Sequence, residues 1–246
     1  MNIAVDIGNS SAKVAVYKNY QSIFTVRWSI SDLLTELTGL FLRYPGIVNS
    51  IISSTCNNYN DIAGFLKRNT EYFIDFNYKT PVPLVNKYKT PHTLGPDRLA
   101  SAVGGASLFP GENLVIFDFG TAITIDIVTQ SGEFMGGNIS PGLSMRFKAL
   151  NAFTDKLPLK SQVESYNLIG EDTDTAIIAG VQNSVIFEIN GYIKEITEKY
   201  KEIKVLFTGG DGNYFAKRVK NPIFANCDLV VYGLNNILEY NVQNKN

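Results

Sequence analysis

Apolar and polar positions along this chain repeat one design twice. Ile3-Ala4-Val5-Asp6-Ile7-Gly8-Asn9-Ser10 climbs as an apolar run to an Asp, turns at a Gly, and resumes through Ala12-Lys13-Val14-Ala15-Val16. Leu114-Val115-Ile116-Phe117-Asp118-Phe119-Gly120-Thr121-Ala122-Ile123-Thr124-Ile125-Asp126 follows the same course. With Asp6 set on Asp118, the Gly, the polar turn and the returning strand fall into step at an offset of 112 residues. The first copy predicts a buried strand over 3–7 and an antiparallel partner over 13–17. Gly8, Asn9, Ser10 and Ser11 join them, with the permissive backbone that a tight turn needs.

The remaining pattern reads as alternating strands and helices. A third strand falls over 22–27. Ser31 can cap a helix in which Leu33, Leu34, Leu37, Leu40 and Phe41 recur at helical spacing, ending before Pro45-Gly46. A β-branched strand over 47–53, a short helix over 61–69 and a strand over 71–76 follow. Pro81, Pro83 and Pro91 make 79–93 an extended loop. Pro96 then opens a helix of small residues, whose Ala and Gly face suits close packing where two domains meet. After the second hairpin, the cluster Gly136-Gly137-Asn138-Ile139-Ser140-Pro141-Gly142 predicts an irregular loop before a helix near Leu143. Residues 151–167 read as loop. A long helix spans 172–200, its buried stripe formed by Ala176, Ile177, Val181, Val185, Ile189, Ile193 and Ile196. A strand over 205–207 ends in Thr208-Gly209-Gly210-Asp211-Gly212. A strand over 229–232, a helix over 233–240 and a frayed tail over 241–246 finish the chain. The rhythm is that of an α/β protein.

Length and composition narrow the class. The 246 residues suit two domains, expected at 1–110 and 111–246. An apolar fraction of 45% with 18% charged residues supports a sizeable core. Net charge is −1 with acids and bases interleaved, so no basic stripe invites nucleic acid or anionic lipid. No apolar run reaches the ~18–20 residues of a membrane helix, and no secretory leader is visible, which together imply a cytoplasmic protein. Cys56 and Cys227 are too far apart for a redox or zinc motif and read as small buried apolar residues. The single histidine, His92, sits in a turn-like segment and excludes a His-rich metal site.

Candidate chemistry gathers on the hairpins and the small-residue helix. A hairpin of this kind aims backbone N–H groups and hydroxyls at one point, which suits an anion. Asp6 would repel a bare phosphate but could hold a hydrated Mg²⁺ that bridges phosphates, with Lys13 adding positive charge. Asp97, in Gly95-Pro96-Asp97-Arg98, has two readings. It is a first-turn acid favoured by the helix macrodipole, the weightier reading on local sequence, or a base paired with Arg98 as anion clamp. Tyr88 is a surface aromatic or the wall of a ligand pocket. Thr173 is a helix cap or a hydroxyl facing a cleft. Lys13 corresponds by offset to Ile125, so only the first copy carries a fixed cation.

Two Asp-x-Gly hairpins with a later Thr-Gly-Gly turn resemble the acetate and sugar kinase, heat-shock 70 and actin superfamily. The narrower set is similar to type III pantothenate kinase. It comprises Asp6 to Ser10, Gly95 to Arg98, Asp118 to Ala122, Gly136 to Gly142 and Thr208 to Gly212, in family order from residue 3 to about 234. The resemblance implies two tandem ribonuclease-H-like (actin-like ATPase) domains with an interdomain cleft. It implies transfer of the ATP γ-phosphate to the primary hydroxyl of pantothenate, on the way to coenzyme A, by a homodimer. Carried over by position, Asp6, Ile7, Gly8, Asn9, Ser10, Ser11, Ala12, Lys13 and Thr121 contact ATP, with Asp6 turned to Mg²⁺. Asp97 is the proton acceptor. Tyr88, Gly95, Pro96, Asp97, Arg98 and Thr173 contact pantothenate, and Asp118 binds a monovalent cation, K⁺ or NH₄⁺. Another small-molecule kinase of the superfamily, or a non-catalytic ATP-binding regulator, are the competing readings.

Overall fold

The computed structural model describes residues 1–9 and 11–244; Ser10 and the last two residues of the expected tail lie outside the described residues. The first sheet opens with β1 (Asn2–Ile7), β2 (Ala12–Lys18) and β3 (Gln21–Trp28), an antiparallel meander. Helix α1 (Leu33–Arg43) leads to β4 (Asn49–Ser54), and α2 (Asn60–Asn69) to β5 (Tyr72–Asp75). Strands β4 and β5 add in parallel, giving the order β3-β2-β1-β4-β5.

The chain then passes through β6 (Val85–Asn86), a 3-10 turn (Pro91–Thr93) and α3 (Pro96–Leu108). It continues as β7 (Asn113–Phe119), β8 (Ala122–Val128), β9 (Glu133–Pro141), α4 (Leu143–Ala152) and α5 (Thr173–Lys199). The last elements are β10 (Ile203–Gly209), α6 (Gly212–Ala216), β11 (Ile223–Ala225) and α7 (Leu229–Gln243). The second sheet runs β11-β10-β7-β8-β9-β6. Taken from β9, its order β9-β8-β7-β10-β11 repeats that of the first sheet. The duplication seen in two hairpins is therefore a duplication of whole ribonuclease-H-like sheets.

Contacts gather the chain into two compact units: Met1–Gly111, Val128–Gly136 and Asp228–Asn246 in one, Glu112–Ile127 and Gly137–Cys227 in the other. These are discontinuous, unlike a division by chain order, because α7 packs on α3 and β1. A Cβ on Gly104 would come within 2.6 Å of the Leu229 carbonyl oxygen, and one on Gly233 within 1.8 Å of that of Ala100. The small-residue face of α3 is thus filled by α7, within one unit. The opposite face of the first sheet buries Ile3, Val5, Ile7, Val14 and Ile52 against Leu33, Leu37 and Leu66 of α1 and α2. In the second unit, Val115, Phe117, Phe119, Ile123, Ile125, Val205 and Phe207 pack on the stripe Ile177, Val181, Val185, Ile189, Ile193 and Ile196 of α5. Each fully buried side chain of this size contributes about 1.5–3 kcal/mol over an exposed one.

Four local expectations are corrected. Asp32, not Ser31, stands at the N-cap of α1, and Ser31 instead donates to Asp32 Oδ1 at 3.2 Å. Ala176 is exposed on α5, outside its buried stripe. The glycine-rich 136–142 segment belongs largely to a strand: a Cβ on Gly137 would lie 1.7 Å from the Ile125 carbonyl oxygen, so the glycine permits close strand approach. Residues 229–232 begin α7 and are not a strand; the run Leu-Val-Val-Tyr is buried in a helix, which a short apolar segment does not distinguish.

Candidate active site

In the first unit, β1 and β2 set Asp6 directly across from Lys13, and the Gly8 N–H donates to the Ser11 carbonyl at 3.1 Å to close the turn. Ile3, Val5 and Ile7 face the α1–α2 core, so Asp6 lies on the other face of the sheet. Lys13 shares that face, and its Nζ reaches Asp228 Oδ1 at 2.8 Å, at the start of α7. Ser53 of β4 is the register partner of Asp6 on the parallel side; it is fully buried, and its Oγ has no hydrogen-bond partner among the described residues. Ile7 and Ala12 are buried in the strands that end at the turn, while Asn9 is exposed. The cysteines do not form core. Cys56 is half-buried with Sγ 3.4 Å from the Gly8 carbonyl, and Cys227 is exposed, because both follow strand ends rather than fill a sheet face.

The start of α3 forms a second cluster in the same unit. Pro96 occupies the first helical turn, and Asp97 folds back so that its Oδ1 accepts the Arg98 N–H at 2.9 Å. Burial raises the Asp97 pKa above its ordinary 3.8, opposed by the Arg98 backbone N–H and the Arg98 charge. Arg98 is buried, 5% exposed, with its guanidinium carbon 5.5 Å from the centre of the Tyr88 ring. Tyr88 stands over Gly136, where a Cβ would come within 2.8 Å of the ring; Gly136 has φ +90. The loop carrying Tyr88 is pinned because β6 pairs in parallel with β9, Asn86 opposite Phe134. The sequence expectation of an unbroken extended loop missed this two-residue strand. Its outcome is that Tyr88, Gly95, Pro96, Asp97 and Arg98 share one neighbourhood. His92 is exposed in the adjacent turn.

In the second unit, two residues join β7 to β8, so the strands are antiparallel. The Gly120 N–H donates to the Ala122 carbonyl at 3.1 Å, and the Gly142 N–H to the Thr121 carbonyl at 3.0 Å. Thr121 is exposed at the tip. This turn is shorter than the one after Ile7, which breaks the constant offset beyond the glycine. Ile123 and Ile125 face the α5 core, so Thr124 and the buried Asp126 share the face of Asp118. On the Asp118 side β8 therefore offers Thr124 and Asp126, not Ile125, and neither is a cation. Strand β10 pairs in parallel with β7, Thr208 opposite Asp118. A Cβ on Gly209, at φ +86, would lie 2.4 Å from Asp118 Oδ1, so the bare glycine leaves room for that carboxylate. Thr208 is 1% exposed, and its Oγ1 has no hydrogen-bond partner among the described residues. Among the described residues there is no group of three His, Cys, Asp or Glu side chains that could hold a metal ion.

Thr173 begins α5 and is exposed; the cap is Asp172, whose Oδ1 accepts the Thr175 N–H at 2.8 Å in a reciprocal capping box. The Asp172 pKa is lowered, first by that backbone hydrogen bond. Asp211 follows the glycine turn of β10 and lines a cavity of about 440 Å³ with Leu143, Phe147, Lys148 and Lys160. Its N–H donates to the Phe119 carbonyl at 3.2 Å, and burial raises its pKa. The sequence reading did not single out Ser53, Asp211 or Asp228. Asp211 could be found from its glycine turn. Asp228 was hidden by the expectation of a strand immediately after it, and nothing local marks Ser53.

Comparison with known proteins bears on this arrangement. A family model described as type III pantothenate kinase matches residues 2–195. A protein of that name from Phocaeicola vulgatus is 44% identical over 241 residues, covering 98% of this chain and 99% of its own. Another, from Cytophaga hutchinsonii, is 42% identical over 243 residues, covering 98% and 100%. Among solved structures, a Campylobacter jejuni protein described as a Baf family transcriptional activator aligns with a TM-score of 0.65. It is 23% identical and covers 98% of this chain and 99% of its own, a likeness of fold alone.

Proposed function

The chain belongs to the type III pantothenate kinase family, and from that premise we propose that it transfers the ATP γ-phosphate to the primary hydroxyl of pantothenate. The product is 4′-phosphopantothenate, the first intermediate towards coenzyme A. The observation that carries the reading is the Asp97 carboxylate, half-buried at the start of α3 beside Arg98 and Tyr88, with a pKa raised by desolvation. A carboxylate of elevated basicity is a better proton acceptor than an ordinary one.

In this reading Asp97 accepts the hydroxyl proton while the alkoxide oxygen bonds to the γ-phosphorus and ADP leaves. Arg98 engages the substrate carboxylate, Tyr88 forms a wall, and Thr173 adds a further contact. Gly95 and Pro96 hold Asp97 in place. The first hairpin, Asp6 to Lys13, grips the phosphates, with Thr121 from the second. Phosphoryl transfer is mostly positioning and charge neutralisation, so these groups account for most of the chemistry. The cavity beside Asp211 suits the nucleoside: Leu143 and Phe147 offer apolar walls, and a carboxylate accepts from ribose hydroxyls.

Two ions belong to the reading. Asp6, facing Lys13 and the unpartnered Ser53 hydroxyl, suits a hydrated Mg²⁺ bridging phosphates. Asp118, with the buried Thr208 hydroxyl beside it on β10, suits a monovalent cation such as K⁺ or NH₄⁺. Bound there, these ions would offset the charge of the triphosphate. A cytoplasmic homodimer is the form that the family resemblance implies. No helix among the described residues is long and apolar enough to cross a membrane. The test is ADP release with pantothenate against a panel of other alcohols. Turnover on a sugar, or on nothing, contradicts the proposal.

A further inference from the structure

Three buried side-chain polar atoms have no hydrogen-bond partner among the described residues: Ser53 Oγ, Thr208 Oγ1 and Asn235 Nδ2. Two of the three occupy equivalent places in the duplicated sheets. Ser53 is the parallel register partner of Asp6, and Thr208 of Asp118. A buried hydroxyl left unsatisfied costs about 1–3 kcal/mol, so two at matched positions call for a common cause.

Geometry gives the cause at Thr208. Val115, Phe117 and Phe119 of β7, with Val205 and Phe207 of β10, face the α5 core. Thr208 and Asp118 therefore emerge together on the other face, on neighbouring strands about 4.8 Å apart. Gly209 removes the one Cβ that would crowd the Asp118 carboxylate. A carboxylate and a dehydrated hydroxyl thus stand side by side on one face at two neighbouring strand ends, with the buried Asp126 of β8 on the same face.

We propose that Thr208 Oγ1 is a direct ligand of the monovalent cation held by Asp118, turning its lone pairs to the ion and so fixing the ion against β10. This rests on the reading of Asp118 as the cation site. The hydroxyl is buried because its partner is the ion rather than a protein group. Ser53 stands in the same relation to Asp6.

Melting temperatures measured in potassium chloride and in tetramethylammonium chloride at equal ionic strength test this without turnover. The wild type melts higher in potassium, and titration gives an apparent K⁺ affinity. Thr208→Val is expected to weaken that affinity about tenfold or more, the size seen when a metal loses a supporting oxygen. In tetramethylammonium its melting temperature stays level or rises, since the buried unsatisfied hydroxyl is gone. Thr208→Ser keeps the hydroxyl and most of the affinity, which excludes misfolding as the explanation. Wild-type K⁺ affinity in Thr208→Val overturns the proposal. Asp118→Asn separates the two levels: if it abolishes the potassium effect while Thr208→Val does not, only the role of Thr208 fails. If Asp118→Asn responds like wild type, or wild type does not respond, the cation reading falls and Thr208 with it.

Discussion

Asp97 Oδ1 occupies the space that a side chain on Gly95 would need: a Cβ there would come within 2.5 Å of it. The Gly in Gly-Pro-Asp-Arg is thus a matter of room for the carboxylate, not of backbone freedom. Gly95→Ala is expected to displace Asp97 while leaving α3 intact. We predict a fall in kcat on the order of a hundredfold, as for small misplacements of a reacting group, with a melting temperature near wild type. Steady-state kinetics beside thermal unfolding check both halves.

Burial raises the Asp97 pKa, so the folded protein binds that proton more tightly than the unfolded chain does. On the proposed role of Asp97 as base, activity requires the ionised form and is lost as pH falls through a value above the ordinary 3.8 of an Asp. For stability, the neutral form is favoured in the fold. The cost of ionising Asp97 is therefore absent below the ordinary pKa and appears as pH rises through the raised one. Asp97→Asn should then lose most turnover and melt no lower than wild type at neutral pH. A variant that keeps near wild-type turnover removes the base assignment.

Tyr88 leans on Gly136, which combines φ +90 with a prospective Cβ only 2.8 Å from the ring. Gly136→Ala strains the backbone and pushes the tyrosine away from Arg98. The expected result is a KM for pantothenate raised roughly tenfold, equivalent to about 1.4 kcal/mol, with KM for ATP unchanged. Equal effects on both would show that the tyrosine is no part of the acceptor site.

The repeated Asp hairpins were legible because a strand, a carboxylate and a glycine turn are all local features. Tyr88, Asp97 and Arg98 were gathered only by the family resemblance and not by any local pattern, since it is β6 pairing with β9 that brings the Tyr88 loop in. What failed did so for physical reasons. Gly136 and Gly137 read as a loop because glycine usually marks one, whereas here Gly137 lets β8 approach closely and Gly136 makes room for the Tyr88 ring. Residues 229–232 read as a strand because a buried helix and a buried strand share the same apolar run. Thr208 was legible as part of its glycine turn, but its place beside Asp118, like that of Ser53 beside Asp6, depends on the strand laid next to it.

The packing of α7 on α3 gives a stability prediction independent of catalysis. A Cβ on Gly233 would meet the Ala100 carbonyl oxygen at 1.8 Å, and backbone cannot give way as a side chain can. Gly233→Ala should cost about 1–3 kcal/mol or more, read as a lowered midpoint in urea with an unchanged slope. Ala at exposed Gly39, where nothing lies within 4 Å, should be neutral or stabilising by comparison.

The central claim is acceptor-specific phosphoryl transfer aided by a monovalent cation. It is tested most directly by ADP release from the purified protein with Mg·ATP and a panel of acceptor alcohols, with and without K⁺. The account predicts turnover with pantothenate alone, and only when K⁺ or NH₄⁺ is present. Turnover on a sugar, or on none of the acceptors, would contradict it.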